Sequence, residues 1–149
     1  LAAERGVSAR ELRQIIATLE EMDACFAGSP EDVDFDAYCD LNARFHSELA
    51  VLSGSQVLER EIERVTRLPF ASPSAFLPTN ADVPAFRLSL GPAQDQHREI
   101  ILAITEREGA RAEAIAREHA RIPRRNLHFL LSERADLAAR TPELALIVT

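Results

Sequence analysis

The sequence predicts an all-α fold arranged as an antiparallel helical bundle. The chain of 149 residues has one tyrosine, no tryptophan and five glycines, and this composition favours helix over sheet. Apolar residues recur at steps of three and four along five stretches, which is the helical period. Consecutive amphipathic helices joined mostly by short turns pack most simply as a compact antiparallel bundle.

Three helices are expected in the first half of the chain, over about 8–27, 35–52 and 56–68. Ser8 and Glu11 have the spacing of a capping box, which marks the first helix start. The apolar stripes are Leu12, Ile15, Ile16, Leu19 and Met22 in the first helix, Tyr38, Leu41, Phe45, Leu49 and Leu52 in the second, and Leu58, Ile62 and Val65 in the third.

Two more helices are expected after a proline-rich loop at 69–84, which could cover a pocket or only connect helices. The fourth ends near Glu108, and Gly91 with Pro92 should start, kink or divide it. The fifth follows at once and runs to about Ala139.

The composition also limits the function. A net charge of −7 makes these residues a poor nucleic-acid binder on their own. Cys25 and Cys39 are too few for a disulfide framework and indicate reduced thiols of a cytoplasmic protein. No apolar run approaches the roughly 18 residues of a membrane span, and no signal peptide is expected. Because the first residue is Leu1, the chain is expected to be part of a longer protein.

Three of the four histidines are predicted to face inward, each from a different helix. His46 adjoins the apolar stripe at Phe45, His97 begins an apolar row, and His119 lies within another. His128 follows His119 by nine residues, about 900° of helical rotation, and should point away.

Convergence of these three imidazoles has two interpretations. A lone histidine on an apolar face is usually a core residue that makes one hydrogen bond. Three imidazoles buried together are harder to satisfy and could not all be protonated, whereas a metal ion binds the neutral ring. Asn42, one turn before His46, offers an amide oxygen as a weaker fourth ligand. Periodicity alone leaves both interpretations open.

Three sequence blocks resemble the FCD domain, the C-terminal ligand-binding half of FadR-class GntR transcription regulators. Residues 41–49 (LNARFHSEL) and the Ser-Gly-Ser turn after them resemble the family pattern of Asp or Asn, two residues and Phe-His before a helix end. Residues 97–104 (HREIILAI) resemble its His-Arg-x-Ile-x-x-Ala-Ile, and 109–114 (GARAEA) resemble the turn that leads to its last histidine, here His119.

This resemblance implies a single effector-binding domain over 1–149, built as a bundle of six or seven helices. The family's first helix and its winged-helix DNA-binding domain would be absent from this chain, and DNA would be bound only through that domain. The implied metal ligands are Asn42, His46, His97 and His119, with zinc most common and nickel or manganese plausible. A small carboxylate metabolite would bind at the metal, in a homodimeric, cytoplasmic regulator without enzymatic activity or membrane attachment.

Two positions depart from the family pattern. Asn42 replaces the usual aspartate, which should weaken metal binding and leave the site more attractive to an anion. Pro123 cannot donate a hydrogen bond to the His119 carbonyl, so a kink or break there could reposition His119 or change the phase of His128.

Other residues suggest further roles. Arg67, at the end of the third helix, is predicted to bind the effector carboxylate, although the arginines of that helix could equally be solvated. A metal-dependent hydrolase is the main alternative, with Glu118 beside His119 as a candidate base. A helical interaction module without metal is the other.

Overall fold

A computed structural model describes residues 1–26, 28, 33–68 and 84–133. Every regular element in these residues is an α-helix, which confirms the all-α bundle. The helices are α1 (Ala2–Arg5), α2 (Ala9–Ala24), α3 (Phe35–Val51), α4 (Gln56–Thr66), α5 (Pro84–Thr105), α6 (Gly109–His119) and α7 (Arg121–Glu133). The predicted pocket-covering role of the proline-rich loop lies outside the described residues.

Side-chain caps begin the early helices where the sequence places them. The Ser8 hydroxyl accepts from the Glu11 N–H at 3.3 Å, and the Glu11 carboxylate accepts from the Ser8 N–H at 2.8 Å, which completes the capping box. At the start of α3 the Asp34 carboxylate accepts from the Ala37 N–H, and at the start of α4 the Ser55 hydroxyl accepts from the Leu58 N–H. α2, the first of the predicted helices, ends at Ala24, three residues earlier than expected.

The fourth predicted helix is α5, which ends at Thr105, three residues earlier than expected. α5 passes through Gly91 and Pro92 without ending, so this pair neither starts nor divides it. Pro92 has no N–H, which leaves the Leu88 carbonyl without its intrahelical partner. Leu88 and Pro92 both lie on the exposed face of α5, where water can donate a hydrogen bond to the Leu88 carbonyl.

The fifth predicted helix is two helices. α6 ends at His119 and α7 begins at Arg121, with Ala120 between them. Pro123 then falls in the first turn of α7, where its missing N–H would have had no intrahelical acceptor. The expectation of one continuous helix was therefore wrong, and the break next to Pro123 that the sequence allowed is present.

α5 is the centre of the bundle, because it packs against α1, α2, α6 and α7. Its isoleucines Ile100, Ile101 and Ile104 belong to the buried core. Ile16 was wrongly placed in the α2 stripe, since it lies about 100° around the helix from buried Ile15 and is 41% exposed. None of the helices in the described part of the chain is long and apolar enough to span a membrane.

α4 has no fully buried residue, in contrast to its predicted stripe. Val65 is 41% exposed, while Leu58 and Ile62 are partly buried and line a cavity. α1 closes that cavity from another side. The Arg5 guanidinium donates to the Leu52 carbonyl at 3.1 Å and thereby ties α1 to the end of α3.

Candidate metal centre

Three histidine side chains converge in the bundle. His46 lies in the second half of α3, His97 in the middle of α5 and His119 at the end of α6. One ring nitrogen of each lies within 4.8 Å of the other two, a grouping that could hold a metal ion. The ring centroids of His97 and His119 are 4.4 Å apart. The ring centroid of His46 lies 5.2 Å from that of His97 and 5.3 Å from that of His119. The predicted convergence is therefore present.

The three rings differ in their access to solvent. His97 is fully buried, with its ring centroid 4.4 Å from that of Phe45. His46 and His119 are partly buried and line the cavity that Leu58 and Ile62 also line. His97 therefore forms the inner side of the cluster, and the other two imidazoles form its side toward the cavity.

Two glutamines hold the outer nitrogens of this cluster. The Nδ1 of His97 lies 3.1 Å from the Oε1 of Gln94, which is 1% exposed. The Nδ1 of His119 lies 3.2 Å from the Oε1 of Gln96. The Gln94 amide also donates to the Leu19 carbonyl and to the Asp23 carboxylate, so it presents its oxygen to His97, and His97 carries its proton on Nδ1. The Nε2 of His97 is then left with a lone pair.

The Nε2 atoms of His97 and His119 are 3.0 Å apart. A hydrogen bond from His119 to the lone pair of His97 accounts for this distance when His119 carries its proton on Nε2. Two nitrogens bonded at about 2.1 Å to one ion in tetrahedral geometry would be about 3.4 Å apart, so a small displacement of the two rings would also admit a shared metal ion.

Burial keeps the cluster uncharged. Together with a smaller effect of the neighbouring histidines, it lowers the pKa of His46 to about 3 and that of His97 to about 2. Burial also lowers the pKa of His119. At neutral pH all three rings are therefore neutral, which is the form that binds metal.

A cavity of about 980 Å³ opens beside the cluster. Its described walls come from α1, α3, α4, α5, α6 and α7, and most of the lining side chains are aliphatic. Arg124 of α7 also lines it. A cavity of this size with a few polar groups is typical of a small-molecule site.

The comparison with known protein families agrees with this architecture. The FCD domain family matches residues 1–121. The chain belongs to the FCD domain family. This is the C-terminal domain of GntR-family regulators of the FadR subfamily, and membership indicates a ligand-sensing regulatory domain. No curated protein matches the chain.

In this FCD domain, the other predicted site residues differ in how close they lie to the histidine cluster. Asn42 is 5% exposed and lies one turn before His46 on α3. Arg67 is not among the described residues that line the cavity, because its side chain is 75% exposed and pairs with Glu63. His128 is exposed and lies outside the histidine cluster, as predicted.

Glu118, considered as a base for hydrolysis, points to a different surface. It pairs with Arg121 at 2.6 Å and with Arg125, and it lines a shallow groove between α5 and α6. The hydrogen bond from Arg121 lowers the pKa of its carboxyl. A general base works best with a pKa near the operating pH, so this environment gives Glu118 no such role at the histidine cluster.

Gln94 and Gln96 are the site residues that sequence reasoning missed. Gln94 precedes His97 by three residues and so shares its helix face, a spacing that could have revealed it. Gln96 meets His119 from another helix, and no local pattern encodes that pairing.

We predict that the metal-free protein loses stability as the pH falls below about 6.5. The unfolded histidines take up protons near that pH, whereas the folded rings resist protonation to much lower pH. Their stabilising effect is thus complete above 6.5 and declines toward pH 3, by up to about 1.4 kcal/mol per pH unit for each histidine. Urea unfolding at pH 7.5 and 5.5, with chelator present, measures this slope.

The matched variant for this prediction is His97→Gln, which keeps a polar side chain and removes one titrating group. Its unfolding free energy should change less steeply with pH than that of the original protein. Equal slopes in the two proteins would contradict the assignment of His97 as a buried neutral imidazole.

Proposed function

We propose that this chain is the metal-containing sensing domain of a GntR-type transcription regulator, in which a small carboxylate ligand binds at a divalent metal. His46, His97 and His119 would be the ligands, with Asn42 as a weaker fourth. The observation that carries the proposal is the convergence of three histidines whose ring nitrogens lie within 4.8 Å of one another beside a cavity.

Zinc is the favoured metal. Neutral imidazole is a good ligand for zinc, nickel and copper. Zinc sites with three histidine ligands and a fourth coordination position left for water or another molecule are well known. Manganese, which prefers carboxylate and water oxygens, fits this set less well. When bound, the ion supplies a Lewis-acidic centre at the wall of the cavity, and the side chains of His46 and His119 hold it toward that space.

The ligand is proposed to be an anion because the protein ligands are neutral. Three imidazoles and one amide leave both positive charges of the ion uncompensated in a largely apolar cavity. The described carboxylates of the cavity wall are Glu4 and Glu113, and Glu113 already pairs with Arg117. A carboxylate from outside would supply the missing charge.

Arg124 is the better-placed partner for that carboxylate. It lines the cavity with His119, and it makes no ion pair within the described residues. Arg67 was predicted for this role from sequence, but it lies outside the described lining and pairs with Glu63. Guanidinium can bind a carboxylate through two parallel hydrogen bonds, which would orient the ligand at the metal.

The regulatory part of the proposal follows from the family. A preceding winged-helix domain would bind DNA, and two copies of the regulator would pair in the cytoplasm. Ligand binding would favour one packing of the helices around the cavity and so shift the paired DNA readers. The acidic sensing domain itself would not bind DNA.

We predict that His46→Ala, His97→Ala and His119→Ala each lose bound zinc and the thermal stabilisation that zinc provides. Metal that binds only the folded state stabilises it by about 2.7 kcal/mol at a hundredfold excess over Kd. Zinc content after dialysis and melting temperatures with and without chelator measure both effects. His128→Ala should behave as the original protein, because His128 lies outside the cluster.

Zinc content unchanged in all three cluster variants would refute the metal site. Absence of zinc, nickel or manganese binding in the original protein would do the same, and it would favour the interaction module without metal.

We predict that Asn42→Asp tightens zinc binding, on the order of tenfold, because a charged oxygen replaces a neutral one near the ion. A competition titration with a zinc-binding dye measures the change. Asn126→Asp is the control, since it adds the same charge on α7, where the side chain bonds Ser89. Equal tightening in both variants would show a general charge effect and no direct ligation.

We predict that Arg124→Gln weakens binding of acetate to the zinc-loaded protein, on the order of tenfold, because a charge-assisted bond is lost. Acetate is the simplest carboxylate probe, and its titration can be followed by the shift in melting temperature. Arg67→Gln is the matched control and should leave acetate binding unchanged. The reverse result would assign the carboxylate to Arg67, as the sequence suggested.

A further inference from the structure

A chain of hydrogen bonds runs from the end of α2 to the innermost histidine. Gln94 lies between α2 and His97, with its side chain almost fully buried. Its amide nitrogen donates to the Leu19 carbonyl at 3.3 Å and to the Asp23 carboxylate at 2.6 Å. Its amide oxygen faces the Nδ1 of His97 at 3.1 Å.

These contacts fix the orientation of the Gln94 amide. Both Leu19 and Asp23 present oxygens that only accept, so the NH₂ group must face them. A rotated amide would place its oxygen 2.6 Å from a carboxylate oxygen and 3.3 Å from the Leu19 carbonyl oxygen, and both contacts would be repulsive. Asp23 is itself held by Arg98, whose guanidinium donates to it at 2.5 and 3.3 Å.

The fixed amide in turn fixes the proton of His97. Because Gln94 presents an oxygen, His97 must carry its hydrogen on Nδ1 and keep its Nε2 lone pair toward His119. Gln96, the corresponding partner of His119, has no second hydrogen bond within the described residues. The tautomer of His97 is therefore held by the fold of α2 and α5, before any metal binds.

We propose that Gln94 is a positioning residue that holds His97 as the Nδ1–H tautomer, with Asp23 and the Leu19 carbonyl holding Gln94, so that Nε2 is preset for metal. The part that concerns metal affinity rests on the proposed function. The part that concerns the tautomer does not, since it follows from hydrogen bonds among residues of the metal-free chain.

The alternative role for Gln94 is purely structural, as a polar tie between α2 and α5. Thr18 provides a matched comparison for that role. It is fully buried on α2 and donates to the Glu48 carboxylate of α3 at 2.8 Å, without touching a histidine of the cluster. Thr18→Val and Gln94→Met each remove a buried interhelical hydrogen bond and keep similar volume.

The first measurement is the histidine tautomer in the full chain with metal removed, read from long-range ¹⁵N–¹H correlation spectra. The original protein and Thr18→Val should show His97 protonated on Nδ1 alone. Gln94→Met should show a population protonated on Nε2. His97 protonated mainly on Nε2 in the original protein, or an unchanged tautomer in Gln94→Met, would overturn the proposal.

The second measurement is zinc affinity by dye competition. Loss of such a partner of a metal-binding histidine typically costs ten- to a hundredfold in affinity, and we expect this for Gln94→Met. Thr18→Val should bind zinc as the original protein does. Equal loss in both variants, or no loss in Gln94→Met, would overturn the positioning role. Failure of the original protein to bind zinc would refute the proposed function and leave the tautomer measurement to decide this proposal.

Asp23→Ala is a second variant that tests the proposal even if Gln94→Met does not fold. Asp23 lies at the half-exposed end of α2, so its removal should leave the bundle intact. Gln94 would then keep only the Leu19 carbonyl, and its amide could rotate. We expect a detectable Nε2–H population at His97 and zinc binding weakened several-fold. A His97 tautomer and a zinc affinity both unchanged in Asp23→Ala would show that Gln94 is not held as proposed.

Discussion

Burial of the His97 imidazole is the constraint on which the other polar groups of the interior depend. A fully buried ring must stay neutral, and both of its nitrogens need partners. Gln94 satisfies Nδ1, and Nε2 lies against His119. Gln94 in turn bonds Asp23, which pairs with Arg98. These bonds connect the buried histidine to polar groups of three helices.

The candidate metal centre has a buried part, formed by His97 and Gln94, and a part that faces the cavity, formed by His46 and His119. His97 and Gln94 belong to the packed interior between α2 and α5, where a change of side chain would leave a void or an unsatisfied group. His46 and His119 line the cavity, and so do the first residues of α1. Any molecule that fills the cavity therefore touches the cluster and α1 together.

Periodicity and capping predicted much of this structure. The capping box at Ser8 and the inward phases of His46, His97 and His119 follow from spacing within single helices. What spacing could not provide is contact between helices. The bond from Gln94 to the Leu19 carbonyl needs the relative placement of α2 and α5, which no local pattern specifies.

The helix end at His119 shows another limit of sequence reasoning. A single intervening residue, Ala120, separates α6 from α7, and alanine is a strong helix former. Only Pro123 signalled a break, and it stands in the first turn of the next helix and not at the break itself. Because the helix is interrupted between His119 and Arg121, the position of Arg124 at the cavity could not be predicted by extending one helix.

The neutral ligand set has a thermodynamic consequence for the proposed sensor. A metal held by imidazoles and an amide keeps its full charge, so an anion in the cavity stabilises the metal as much as the metal stabilises the anion. Linkage requires these two effects to be equal. An aspartate in place of Asn42 would compensate part of the charge permanently and reduce that coupling. In the proposed site, the asparagine would therefore weaken metal binding and would make the occupancy of the metal depend more strongly on the ligand.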